Sequence, residues 1–249
     1  MNTPTRSLNG KTALVTGGSR GIGAAIVRRL AADGASVAFT YASSPERAHA
    51  LEAEVEAAGG RALGIRADSA DPAAVERSVS ETVQAFGRID ILVNNAGILV
   101  HKPLDETLLD DFERIMAVNV RAQFVAIQAV QRQMGEGGRI VNIGSMVADR
   151  AGSPGVVLYA MSKAAVAAMT RGLARDLGPR GITVNTLQPG PTETEIVSDE
   201  AIRAALRGMI PVGRMGRDSE IAGLVAWLAG PEAAYVNGAA LTIDGGFVA

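Results

Sequence analysis

Short apolar runs alternate with longer stretches in which apolar side chains return every third or fourth position. The first pattern reads as buried strand and the second as helix packed on one face. Thr12–Thr16 is the first strand, and Ile26, Val27, Leu30 and Ala31 mark a helix that Gly34 stops. Ser36–Tyr41 is the second strand, Pro45–Ala58 a helix, and Ala62–Ala67 the third strand. Pro72 opens a helix to Phe86, since proline fits a helix start. Ile89–Val93 is the fourth strand, and two helices fill roughly 105–134. Arg139–Ile143 is the fifth strand, followed by a helix through Tyr159 to Leu177 and a sixth strand, Ile182–Leu187. A polar stretch with a short helix spans about 191–216. A helix over Ser219–Leu228 and a last strand, Ala240–Ile243, complete the pattern.

Strands separated by helices imply a doubly wound α/β fold, a parallel seven-stranded sheet with helices on both faces. No repeat, low-complexity tract or long linker divides residues 1–249, so a single domain is expected. Ligands of such sheets sit at the carboxyl ends of the strands, near the switch in strand order. Most of the chemically unusual residues fall at those ends.

Composition narrows the classes. The 24 basic and 26 acidic residues nearly cancel, so no field for nucleic acid or an anionic membrane is expected. Cysteine is absent, which excludes disulfides and thiolate catalysis. No apolar run reaches membrane-spanning length, and nothing near Met1 reads as a signal peptide, so a cytoplasmic location is expected. His49 and His101 are scattered, and no metal site is expected.

The turn Gly17-Gly18-Ser19-Arg20-Gly21-Ile22-Gly23 follows the first strand and opens a helix. It is one residue longer than the Gly-x-Gly-x-x-Gly fingerprint, but glycines still let backbone N–H groups approach a pyrophosphate at a helix N-terminus. The second strand ends Tyr41-Ala42-Ser43-Ser44, without the carboxylate that would bind the ribose hydroxyls of NAD. That absence, with Arg20 and the serine hydroxyls nearby, favours NADP(H).

Tyr159 and Lys163 lie four apart, one turn from each other on one helix face. A free tyrosine titrates near pH ~10, and a fixed ammonium nearby favours its phenolate. The pair is a candidate acid/base unit.

These motifs together resemble the short-chain dehydrogenase/reductase family. They are Thr16-Gly17-x3-Gly21-Ile22-Gly23, Asn94-Asn95-Ala96-Gly97, Ser145 and Tyr159-x3-Lys163, in order across about 8–247. The similarity is strongest to the 3-oxoacyl carrier-protein reductase-like branch, and it implies a Rossmann-like fold. It implies Tyr159 as general acid/base, and Lys163 as the residue that contacts the nicotinamide ribose and lowers the tyrosine pKa. It implies Ser145 as a hydrogen-bond donor to the substrate oxygen, and Asn119 as the holder of a water in a proton relay. By its residue type alone, Asn119 also reads as a helix-interior side chain bonded to backbone. The resemblance gives Asn95, Ala96 and Gly97 to sheet support and the adenosine ribose side, and Asp68, beside Ser69, to the adenine amino group. Without it, Asp68 reads as a helix cap ahead of Pro72. Pro189, Gly190, Thr192 and Thr194 match the segment that packs on the nicotinamide and holds its carboxamide and the phosphates.

The activity implied is hydride transfer between NADP(H) and a ketone or 3-oxoacyl-type substrate, reversible as an alcohol dehydrogenase, commonly in a homotetramer. The Ala164–Ala168 stretch suits close helix packing at such an interface. The rival implied by the same fold is a regulator that binds NADP(H) without turnover. An isomerase or dehydratase sharing Tyr-x3-Lys is a third, though such relatives carry extra length absent here.

Two features depart from the family. Thirteen residues separate Ser145 from Tyr159, one more than is common, and the extra one is expected to bulge out around Gly152, Pro154 and Gly155. Arg180 fits one position of the basic patch that grips an acyl-carrier protein, but Glu136 falls at another. A carrier-protein partner is therefore the weaker expectation and a free ketone or ketoester the stronger. Trp227 reads as core, and Met209, Met215 and Ile196 lie near the substrate lid that the resemblance implies at about 191–216.

Overall fold

The computed structural model describes residues 7–195 and 199–249. Ile196 therefore lies outside the described residues, as does the segment around Met1. Seven parallel strands form one sheet in the order β3-β2-β1-β4-β5-β6-β7. They are β1 (Thr12–Val15), β2 (Ser36–Tyr41), β3 (Arg61–Arg66), β4 (Ile91–Asn94), β5 (Arg139–Ile143), β6 (Thr183–Pro189) and β7 (Ala240–Ile243). The order reverses between β1 and β4, and there the crevice of a doubly wound sheet opens.

The central strands β1, β4, β5 and β6 are buried at every position, because helices cover both faces. On one face, α1 (Gly21–Ala32), α2 (Pro45–Ala57) and α8 (Asp218–Ala229) pack on Ala13, Val15, Val37 and Phe39. On the other, α3 (Pro72–Phe86), α5 (Ala122–Gln131) and α6 (Val157–Leu177) pack on Leu14, Ala38, Leu92 and Ile140. The alternation of neighbours along β1 is the two-residue period of a strand.

Element boundaries shift where side chains have other work. β1 stops at Val15 because Thr16 turns its hydroxyl to accept from the N–H groups of Asn95 and Ala96, each at 3.0 Å. Strand β4 runs to Asn94 and β6 to Pro189, both further than the apolar pattern suggests. The expected pair of helices over 105–134 is a 3₁₀ turn, then α4 (Leu109–Met116), joined to α5 by a π-helical turn at Ala117–Arg121. The lid carries α7 (Glu200–Met209). Trp227 is not core: it is 39% exposed, on the outer side of α8. Met215 is buried and Met209 exposed.

A buried polar chain ties α6 to the sheet. The Asn94 amide donates to Asn142 Oδ1 at 2.9 Å, and the Asn142 amide donates to Thr170 Oγ1 at 2.9 Å. Thr170 shares a 2.6 Å hydrogen bond with Thr186 of β6. Buried amides and hydroxyls are costly unless paired, so this chain sets the register of α6 against β4, β5 and β6.

Candidate active site

The glycine turn is packed too closely for side chains. Gly17 has φ 65° and Gly21 φ 51°, the left-handed region that glycine tolerates. A Cβ on Gly23 would run into the Gly17 carbonyl oxygen, and one on Gly18 into Phe39. Thr40 supports the turn from β2: its hydroxyl accepts from Gly17 N–H at 3.0 Å and its carbonyl from Gly18 N–H at 2.8 Å. The Asn95 amide donates to the carbonyls of Thr16 and Gly17 at 3.0 and 2.9 Å. Asn95 is thus a brace of the turn. Ser19, Gly21 and Ile22 are half-buried around it, and Arg20 is exposed.

Tyr41 is half-buried at the end of β2, and Ala42 and Ser43 are exposed beyond it. Asp68 does not cap α3. That role belongs to Asp71, whose carboxylate accepts from Ala73 N–H at 2.9 Å. Asp68 instead closes a small turn onto Ala70 N–H at 2.8 Å, exposed beside half-buried Ser69.

Lys163 is the buried centre of the site. It is 3% exposed, and its ammonium donates to the Ile143 carbonyl, at the end of β5, at 2.8 Å. Burial pulls its pKa down to about 8, because desolvation penalises the cation. The ammonium nitrogen stands 5.6 Å from the centroid of the Tyr159 ring. Burial also raises the Tyr159 pKa, and the neighbouring Ser145 hydroxyl pulls it the other way. The lowering expected from Lys163 is thus not what these side chains produce by themselves: desolvation wins.

Ser145 leaves β5 and opens a 3₁₀ turn, where its hydroxyl accepts from Val147 N–H at 3.4 Å. The extra residue before Tyr159 is absorbed without parting the two hydroxyls. Gly155, at φ 83°, turns the loop back, and its carbonyl accepts from Lys102 N–H at 3.0 Å. His101 packs at this turn, where a Cβ on Gly155 would lie 3.2 Å from its ring.

Asn119 occupies the π-helical turn and is fully buried. Its side chain accepts from Ile98 N–H at 2.8 Å and donates to the Ile98 carbonyl and to Ser162 Oγ, each at 3.0 Å. Both of its amide donors are therefore spent on protein. Ser162 donates onward to the Tyr159 carbonyl at 2.8 Å. Ser162 is a positioning residue that periodicity does not flag, since a serine inside a helix ordinarily bonds its own backbone. Gly97 lies over this cluster: a Cβ there would sit 3.4 Å from Asn119 Oδ1 and 3.5 Å from Lys163 Nζ.

From β6, Pro189 and Gly190 lead into the lid. A Cβ on Gly190 would clash with Asp244 at 2.5 Å, so the C-terminal segment closes against it. Thr192 is buried and donates to the Gly190 carbonyl at 3.0 Å. The Thr194 side chain approaches the glycine turn, 3.7 Å from a Cβ placed on Gly21. Arg180 lies away from the site and donates to the carbonyls of Gln131 and Met134 at 2.6 and 2.9 Å, capping the end of α5. No cluster of three potential metal ligands occurs among the described residues. No described helix is long and apolar enough to cross a membrane.

The close-packed glycine turn at the start of α1 suits a pyrophosphate, and the Lys163–Tyr159–Ser145 group lies at the same strand ends, so these residues fit a nicotinamide dinucleotide. Residues 17–248 match the family model described as Enoyl-(Acyl carrier protein) reductase. The cyclic-di-GMP-binding biofilm dispersal mediator protein of Escherichia coli (strain K12) is 48% identical over 242 residues, covering 97% of this chain and 98% of that protein. A dehydrogenase/reductase from Sinorhizobium meliloti 1021 superposes with a TM-score of 0.96 at 56% identity, covering 98% of both chains. A short chain dehydrogenase from Burkholderia cenocepacia J2315, solved in complex with NADP, superposes with a TM-score of 0.95 at 55% identity over 98% of this chain and 100% of that one. Sheet order, glycine cradle, buried lysine and these matches agree: the chain belongs to the short-chain dehydrogenase/reductase family.

Proposed function

We propose that this protein is an NADPH-dependent carbonyl reductase, working reversibly as an alcohol dehydrogenase on a ketone or 3-oxoacyl-type compound. The observation that carries the reading is the buried Lys163 ammonium beside Tyr159 and Ser145 at the end of β5. Support for NADP comes from the second strand, which ends without a carboxylate, and from the NADP-bound Burkholderia relative.

NADPH, when bound, supplies the hydride. The protein supplies position and protons. Ser145 and Tyr159 donate hydrogen bonds to the substrate oxygen, where negative charge develops. Tyr159 delivers its phenolic proton to that oxygen. Ile143 takes one of the three donors of Lys163, which leaves two for the ribose hydroxyls. The resulting phenolate is stabilised by the Lys163 cation, and a water on the backbone of Asn119 returns the proton. Asp68 reads the adenine amino group, Ala96 and Gly97 border the ribose, and Thr192 and Thr194 hold the carboxamide and phosphate side.

Arg180 is engaged in capping α5 and Glu136 puts an acid where a base would help grip a carrier protein, which favours a free ketone or ketoester. The second reading is a ligand-binding regulator. It is favoured by the E. coli relative, whose name describes binding of cyclic-di-GMP.

The chain is further proposed to assemble as a homotetramer. Phe124 on α5 and Val157 and Met161 on α6 are 48%, 49% and 40% exposed, and Ala164 and Ala168 continue that small-residue face. Light scattering is expected to give about four times the 25.6 kDa chain mass, with Phe124→Glu shifting it to smaller species. A monomeric wild type contradicts this.

Tyr159→Phe is expected to retain NADPH binding, followed by fluorescence, and to lose at least about a hundredfold in turnover on ketones. Retained turnover removes Tyr159 from the acid/base role. Because burial pulls the Lys163 pKa down to about 8, its charged form prevails below that pH and is lost above it. NADPH affinity should therefore weaken as pH rises through about 8, and Lys163→Met should flatten the profile. A wild-type profile that is flat between pH 7 and 9 contradicts that role.

A further inference from the structure

Glu195 stands just beyond Thr194, where the lid leaves the rim of the glycine turn. Its carboxylate accepts from Arg47 Nη1 with both oxygens, at 2.9 and 2.8 Å. The same carboxylate lies 3.8 Å from Arg20 Nη1. One anion is thus shared by two guanidinium groups. Arg20 comes from the turn after β1, and Arg47 from the first turn of α2, which follows β2. These are the two segments that flank the adenosine ribose in a doubly wound sheet, and a nearby arginine there accommodates a 2′-phosphate.

We propose that Arg47 is a second guanidinium for the 2′-phosphate of NADP(H), and that Glu195 is a built-in competitor occupying the same arginine pair. The reading rests on the NADPH assignment above. The pairing is solvent-exposed, with side-chain exposures of 68% for Arg20, 48% for Arg47 and 59% for Glu195. Exposed ion pairs between single charges are weak. A phosphate carries more charge and more acceptor oxygens than a carboxylate, so it displaces Glu195 from both arginines. NADH has no group to do so and leaves the pair closed. Glu195 therefore sets how strongly the arginines discriminate between the two cofactors. It also ties the lid, through residue 195, to the site that reads the cofactor's phosphate.

The test is fluorescence titration of the full chain with NADPH and with NADH, for wild type, Arg47→Ala and Glu195→Gln. Arg47→Ala should weaken NADPH about two- to fivefold, the range of an exposed ion pair, and move NADH by less. Glu195→Gln should tighten NADPH by a similar factor, because it frees the arginines and removes a like charge, and should leave NADH nearly unchanged. Wild type that prefers NADPH, with either variant shifting both cofactors equally or neither, overturns this proposal alone. Glu195→Gln that weakens NADPH also overturns it. Wild type without preference for NADPH overturns the cofactor reading and this proposal together.

Discussion

The site depends on an ammonium held out of water. Lys163 is buried where α6 crosses the end of β5, and the Ile143 carbonyl is its protein partner at 2.8 Å. A cation at that depth is tolerated only where the geometry around it is fixed, since an unpaired buried charge costs several kcal/mol on the order of magnitude. The fixing comes from further along the same helix face. Thr170, two turns on, is locked to Asn142 of β5 and Thr186 of β6. Those bonds set the register of α6, and the register aims Lys163 and Tyr159 at the crevice.

A second constraint approaches from the opposite side. The π-helical turn at Ala117–Arg121 widens the helix where Asn119 faces the loop after β4. Such turns are often found at functional sites, because the irregularity frees backbone groups. Here the Asn119 side chain binds Ile98 in both directions and reaches Ser162, which in turn holds the Tyr159 carbonyl. The β4 loop, the α4–α5 junction and the Tyr159 turn of α6 are one hydrogen-bonded unit. A Cβ on Gly97 would rest in van der Waals contact with both Asn119 and Lys163.

Much of this is legible in the residues. The apolar runs locate the seven strands, most plainly the central β1, β4, β5 and β6, where burial on both faces leaves an unbroken signal. The glycine turn and the Tyr159–Lys163 pair stand out because both are local in sequence. What is not legible is set by distant partners. Asp71, not Asp68, caps α3, and the choice rests on where the chain turns before Pro72. Arg180 looks like a surface cation until α5 supplies carbonyls for it to cap. Trp227 follows the apolar pattern of α8 yet points outward. Glu195 and Arg47 meet across 148 positions, and no periodicity connects them. Burial also pushes the Tyr159 pKa up, an effect that needs the packed site before it can be weighed against Lys163.

On the proposed reading, this crevice moves a hydride from NADPH to a carbonyl carbon while Tyr159 supplies the proton. The most direct measurement is transfer of deuterium from NADPH labelled at C4, offered with a panel of a β-ketoester, an aryl ketone, a diketone and a sugar ketone, and read by mass spectrometry of the products. The expected product is an alcohol bearing one deuterium on the former carbonyl carbon, formed by the wild type and not by Tyr159→Phe. Tight NADPH binding with no deuterated alcohol from any of the four ketones would contradict it and shift the weight to a ligand-binding regulator.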